Sequence, residues 1–475
     1  MSTLLGPKLL LARTVGAMSR LGGGGGTSLP GKVLTRIDST ALEALAGRLS
    51  KGSVLISATN GKTTTAAMAA SILERTGIAL VHNQAGANMA GGIASTLLAA
   101  AGLRGSIDGE LGLFEVDELW LDRLAAQLHP RVVTLGNLFR DQLDRYGELE
   151  TIAERWRAAV HGGAAADARL VCNADDPLVA DIGRERSEVL YYGVDDDSLA
   201  LDGMAHAADA KHCRRCGAPY TFDAVYLGHL GHYHCPSCGQ LRPSPAVLAR
   251  SVVLEGVRAA RFRLVTPEGD AEVRLALPGL YNIYNALAAS ALAVALGVPL
   301  ADIVAGLQST RAAFGRAETV SVGGRETRIL LVKNPAGANE VLRTLALEPG
   351  MHDLLGVLND KTADGHDVSW IWDADFELLA GRIRLATCSG TRAPELALRL
   401  KYAGVEPARI RVVGDLSDAV KSAASERPEI GADTEDGLGE VGRAGGPLYI
   451  LPTYTAMLAL RELLVRRGEA SSSWR

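Results

Sequence analysis

The chain has 475 residues, 47% of them hydrophobic and 22% charged, with a formal net charge of -5. Such a length exceeds one ordinary core and predicts two or three domains, while the negative balance argues against a nucleic-acid binder held by overall charge. No apolar run reaches membrane-spanning length, Lys8 and Arg13 interrupt the apolar stretch where a signal peptide needs a clean core, and six cysteines are too few for a disulfide scaffold. A cytoplasmic protein is expected.

Residues 1–50, with glycines at 22–26, read as a short helical segment, a flexible turn and an amphipathic helix. From Ser53 the pattern becomes strand (VLISA), glycine turn (TNGK) and helix (TTTAAMAASILERTG), and further strands follow at ELGLFEVDE, PRVVTLGN and ARLVCNADDP. Apolar runs alternating with helical stretches imply an α/β class with a mostly parallel sheet covered on both faces. Between 209 and 245 the composition shifts to Cys, His, Gly and Tyr, marking an inserted module. ARFRLVTPEG and the helical NIYNALAASALAVALGV return the chain to the main domain, taken as 51–310. A smaller α/β unit, 311–475, carries TRILLVKNP, HDLLGVLND, RIRLATCSG and GPLYILPTYTAM. Its stretch 422–446, rich in Glu, Asp, Gly and Ala, is expected to be a disordered surface loop.

ATNGKTTT follows a strand and opens a helix, the context of a P-loop. Small residues let backbone N–H groups converge on phosphate oxygens, and the helix N-terminus adds its dipole. Lys62 would reach the β- and γ-phosphates and Thr63 would place its hydroxyl on Mg²⁺. The strict P-loop pattern is broken, because Ile56 stands where the first glycine would be. FEVDE puts Glu115, Asp117 and Glu118 at the end of a strand, where a metal at the carboxyl edge of a parallel sheet is within reach.

Cys213-x2-Cys216 and Cys235-x2-Cys238 form two knuckles, the spacing of a structural zinc ribbon with four thiolates and no open coordination position. Zinc ribbons also bind nucleic acid, but Lys211, Arg214, Arg215 and Arg242 are too few for a basic face. Cys172 and Cys388 sit in apolar strands and read as core. Trp370 and Trp372 fit either a core or an interface.

Taken in order, ATNGKTTT, the Glu of FEVDE, GNLFRDQLD, NADDP and YNIYNALAA resemble the Mur ligases, which like the folylpolyglutamate synthases form amide bonds through an acyl phosphate. The resemblance, covering about Ser53 to Arg316, implies a central ATPase domain. Thr59, Asn60, Gly61, Lys62, Thr63 and Thr64 would hold the phosphates, and Thr63 and Glu115 would bind Mg²⁺. Asn137 and Asp141 would lie near the phosphates, Asp175 and Asn282 would face the base and ribose, and Arg316 would sit near the domain junction. The sequence departs from the family at Ala58 (usually Gly), Gln142 and Tyr281 (each usually His), and RWRAAV, which lacks a lysine the family often carboxylates.

KNPAGANEVL, LNDKTADGHDVSWIWDADFE and LPTYTAML extend the resemblance to one branch, the ATP-using half of an enzyme that amidates the D-glutamate α-carboxylate of lipid II. That branch implies a heterodimer with a GatD-like class I glutaminase that supplies ammonia, and work on lipid II at the inner membrane face. It also implies an acid lent from the C-terminal domain to the partner's histidine, where a carboxylate fixes the imidazole tautomer. NDKTADGHD offers Asp360, Asp364 and Asp367, with Asp360 favoured, then Asp364. The rivals are an amino-acid-adding ligase and an ATP-gated scaffold organised by the zinc ribbon.

Overall fold

The computed structural model describes residues 5–21, 28–83, 87–102, 105–141, 149–204, 208–311, 316–425 and 446–470. The apolar runs form strands β1 (Ser53–Ser57), β2 (Leu80–His82), β3 (Leu111–Glu115), β4 (Val132–Leu135), β5 (Arg169–Asn173) and β6 (Val189–Val194). These are followed by β7 (Thr221–Leu227), β8 (Leu230–His234), β9 (Val247–Glu255), β10 (Ala259–Thr266) and β11 (Gly269–Leu275). Apart from the β7–β8 hairpin they make one sheet in the order β11-β10-β9-β6-β5-β4-β1-β3-β2. Pairing is parallel from β2 to β9, and β9, β10 and β11 form an antiparallel arm.

Strands β1, β3 and β4 are buried along their whole length, as continuous apolar runs in a parallel sheet require. One face packs on helices Lys62–Arg75, Leu280–Ala295 and Leu300–Ser309. The other face packs on helices Ala90–Ala100, Leu121–Leu128 and Leu149–His161. The N-terminal helices join this second core through Leu5, Leu9, Leu34, Leu42 and Leu45, so these helices act as cladding on the sheet. Lys8 and Arg13 do not disturb it: Lys8 pairs with Asp38 at 2.9 Å and Arg13 donates to the Leu98 carbonyl at 2.9 Å.

A second sheet contains β12 (Arg316–Val322), β13 (Arg325–Leu330), β14 (His352–Val357), β15 (Ile383–Ser389), β16 (Ile410–Val412) and β17 (Leu448–Pro452). Its order is β12-β13-β17-β14-β15-β16, parallel except at β12–β13. The loop expected at 422–446 is corrected at its start. Ser422 to Ser425 close helix Leu416–Ser425, because Ala419, Val420 and Ala423 form an apolar stripe buried on this sheet. Residues 426–445 lie outside the described residues.

The register aligns Ile56 with Glu115 and Ser57 with Leu135. The loops after β1, β3 and β4 therefore leave the sheet at one edge, the carboxyl edge where ligands of open α/β sheets bind. The carboxyl ends of β13 and β17 in the second sheet face the same place: Lys333 and Tyr454, which follow them, both line the cavity described below.

Candidate active site

Helix Lys62–Arg75 starts at Gly61, whose φ is +89°. A side chain there would be strained, and its Cβ would stand 1.9 Å from Asn285 Oδ1. The loop is held open by Asn137, which accepts from the Asn60 N–H at 2.9 Å and donates to the Asn60 carbonyl at 3.0 Å. Thr59 Oγ1 accepts from the Phe139 N–H at 3.1 Å, tying the P-loop to the loop after β4.

Lys62 is buried and its Nζ lies 2.7 Å from Glu118 Oε2. Burial works to strip its proton, but Glu118, Asp117 and Glu115 outweigh that and raise its pKa above the ordinary lysine value. Glu115 is 1% exposed, and its Oε2 has no hydrogen-bond partner. One ammonium against three buried carboxylates leaves a formal deficit of about two charges, and an orphaned buried carboxylate oxygen is costly unless a cation meets it. A divalent cation beside Glu115 and Thr63 fits both observations.

The second domain reaches into this site. Lys333, just after β13, puts its Nζ 2.5 Å from Asp141 Oδ2 and 3.3 Å from the Thr59 carbonyl. Asn334 Nδ2 donates to Asn60 Oδ1 at 2.9 Å. Burial raises the Asp141 pKa against the opposing pull of Lys333, and Asp141 Oδ1 is a second orphaned buried oxygen. Between the domains lies a cavity of about 370 Å³. Thr59, Asn60, Gly61, Lys62, Thr63, Thr64, Glu115, Asn137 and Asp141 all line it. Its apolar part is built by Phe139, Leu227, Leu230, Tyr284, Leu330, Ala336 and Val341.

Two residues expected at the base, Asp175 and Asn282, do not line the cavity. Asp175 is fully buried, with Oδ1 accepting from Arg242 Nε at 2.6 Å and Oδ2 from Tyr284 Oη at 2.7 Å and the Val194 N–H at 2.8 Å. Its acceptors are thus committed to joining β6, the inserted module and helix Leu280–Ala295. Asn282 turns inward too, donating to the Pro278 carbonyl at 2.7 Å; one turn on, Asn285 lines the cavity instead, as does Tyr281. The side chain of Arg316, at the start of β12, lies outside the described residues, as does Gln142. Sequence reading missed Lys333 and Asn334 as site residues, although KNPAGANEVL carried the signal.

In the acidic loop, Asp364 is also turned inward. It is 5% exposed and accepts from the Thr455 N–H at 2.7 Å and from the Thr455 hydroxyl. Asp360 stays near the surface, accepting from Thr391 Oγ1 and Arg392 Nε at 2.8 Å each, which hold its carboxyl below the usual range. Asp367 is exposed, and its Oδ1 accepts from the Ser369 N–H at 2.8 Å. Trp370 packs on the core, whereas Trp372 is 49% exposed beside Tyr402 and Arg399.

The four cysteine sulfurs Cys213, Cys216, Cys235 and Cys238 all lie within 4.8 Å of one another, with pairs at 3.6 and 3.4 Å. Thiolates on a tetrahedral zinc with bonds of about 2.3 Å stand roughly 3.8 Å apart, so the donor set fits. Three of the module's four lysine and arginine residues are neutralised locally: Arg214 pairs with Glu154, Arg215 with Asp181 and Arg242 with Asp175. Cys172 and Cys388 are buried core thiols whose pKa burial raises, that of Cys388 to about 12.

Comparison with known proteins places this geometry. Residues 56–224 match the Mur ligase middle domain and 331–457 the MurT ligase C-terminal domain. The fold is similar to a pseudomurein peptide ligase type C from Methanothermus fervidus, at TM-score 0.62 and 22% identity over 89% of this chain and 80% of that one. It is also similar to the folylpolyglutamate synthase of Mycobacterium tuberculosis, solved with ADP and AMPPCP, at TM-score 0.60 and 17% identity over 89% and 93%. Fold and site together define a protein of the Mur ligase class. The MurT subunit of the glutamine-hydrolysing lipid II isoglutaminyl synthase of Streptococcus pneumoniae is 34% identical over 95% of this chain and 94% of its own. That of Staphylococcus aureus is 33% identical over 98% of each. The chain belongs to this MurT family.

Proposed function

We propose that this chain is the ATP-using subunit that amidates the α-carboxylate of D-glutamate in lipid II, with ammonia from a class I glutaminase partner. The observation that carries the reading is the single cavity where the P-loop, an orphaned Glu115 and Lys333 from the second domain meet. ATP lies with its phosphates on residues 59–64. A carboxylate oxygen of the substrate attacks the γ-phosphorus, the bond to the bridging oxygen breaks, and ADP leaves. The nitrogen lone pair of ammonia then attacks the acyl carbon, phosphate departs, and the nitrogen gives up a proton. Lys62 and Lys333 hold positive charge against the transferring phosphoryl group, and closure of the second domain over the P-loop keeps water from the acyl phosphate. Thr63 and Glu115 hold Mg²⁺, which neutralises phosphate charge when bound.

The same reading divides the chain into an N-terminal helical and flexible segment (1–50), an ATPase domain (51–310) with the inserted module at 209–245, and a C-terminal domain (311–475). The four cysteines hold a structural zinc ion. The acid lent to the partner is Asp360 or Asp367, since both stand at the surface, and the exposed Trp372 anchors the contact. Lipid II is met at the cytoplasmic face of the membrane; among the described residues no helix is long and apolar enough to cross it.

The test is co-purification with the glutaminase and incubation with lipid II, ATP, Mg²⁺ and glutamine. A loss of about one mass unit from the precursor (hydroxyl exchanged for amine), absent in Lys62→Ala, is expected. Gain of an amino-acid residue, or no change in precursor or ATP, overturns the assignment. Loss of glutamine hydrolysis in either Asp360→Asn or Asp367→Asn, but not in both, identifies the lent acid.

A further inference from the structure

The inserted module is more than an appendage on the ATPase domain, because the two ends of its hairpin do different things. At the root of the β7–β8 hairpin stand the four cysteines; at the tip, Leu227 and Leu230 form part of the cavity wall. Strand β8 runs directly from one to the other, and the five steps from Leu230 to Cys235 span about 17 Å at the usual rise.

The tip is locked onto the P-loop by a short chain of contacts. Gly228 has a φ of +59°, and a Cβ there would stand 2.7 Å from the Phe139 ring. The buried His229 ring lies 4.6 Å from the Phe139 ring, and Phe139 donates its N–H to Thr59 Oγ1. The Gly231 N–H also donates to the Asp175 carbonyl at 3.0 Å. The root, by contrast, has a core of little more than Cys213, Cys235, Tyr220, Tyr233 and Ala180. So small a cluster needs a metal to hold it.

The phosphate end of the cavity is fixed by residues 59–64, and Leu227 and Leu230 with Phe139 and Tyr284 give it an apolar wall on the ATPase-domain side. We infer that the hairpin tip is the wall on which the base rests, and that metal at the cysteine root sets nucleotide affinity by holding that wall in place. The inference rests on the nucleotide reading of the cavity.

The test uses the full chain and a fluorescent N-methylanthraniloyl ADP as probe, with bound zinc and the unfolding midpoint measured on each sample. Leu230→Ala with metal retained is expected to weaken probe binding about tenfold or more, while Leu230→Met, which keeps the volume, restores most of it. Chelation to zero bound zinc is expected to weaken binding comparably, with recovery on adding zinc back. Unchanged affinity in Leu230→Ala, or in a folded metal-free chain, overturns the inference while leaving the nucleotide site standing. If stripping the metal unfolds the chain, Leu230→Ala decides alone. Failure of the unsubstituted chain to bind the probe overturns the nucleotide reading itself.

Discussion

Replacing Lys62 with methionine separates the stabilising role of this residue from its chemical one. Methionine keeps much of the stem but removes the ammonium 2.7 Å from Glu118, in a pair whose side chains are 10% and 3% exposed. Removing one partner of a buried ion pair costs about 3–5 kcal/mol, mostly from the stranded charge. Here the cost lies toward the upper end, because Asp117 and Glu115 are also buried beside it. Glu118→Gln placed in the same chain removes the stranded charge, so the double variant should recover about 2–3 kcal/mol relative to additivity. Urea unfolding of the four chains, followed in parallel by precursor amidation, reads both effects. Amidation should be absent in Lys62→Met and in the double variant alike, although the latter is more stable than the sum of the two single changes predicts. A single variant within about 1 kcal/mol of the original chain, or a double variant as unstable as the sum of both changes, refutes the buried-pair argument.

Lys333→Met leaves Asp141 buried without its cation. Because burial already raises the Asp141 pKa, the folded chain holds that proton more tightly than the unfolded one. Stability from this group therefore falls as pH climbs from the ordinary aspartate range through the raised folded value. The variant should match the original chain in acid and lose about 1–3 kcal/mol by neutral pH, read by unfolding at several pH values; a pH-independent difference would contradict this. Gly61→Ala should abolish nucleotide binding while leaving any metal content of the four-cysteine site unchanged, measured by calorimetry and metal analysis. Asp175→Asn strands buried donors and should cost about 2–4 kcal/mol with little change in the KM for ATP; a selective rise in KM would return it to the base site. Asp364→Asn should lower stability without the specific loss of glutamine hydrolysis expected at the true lent acid.

What the sequence alone determined is what a single segment encodes. The strand, glycine turn and helix around Lys62, the knuckle spacing of the four cysteines and the alternation of apolar runs are local patterns, each tied to a backbone conformation or a ligand set. The tertiary structure decided which side chains of those segments face the cavity. Asn60 and Asn334 are 274 residues apart, and Leu230 arrives in the cavity from an inserted hairpin. Asp175 and Asp364 have the residue types of site groups, yet each is turned inward by partners from elsewhere: Arg242 and Tyr284, and Thr455. A carboxylate or amide bonds to whichever donors or acceptors the fold brings to it, and those are set by packing between distant segments rather than by the motif that carries it.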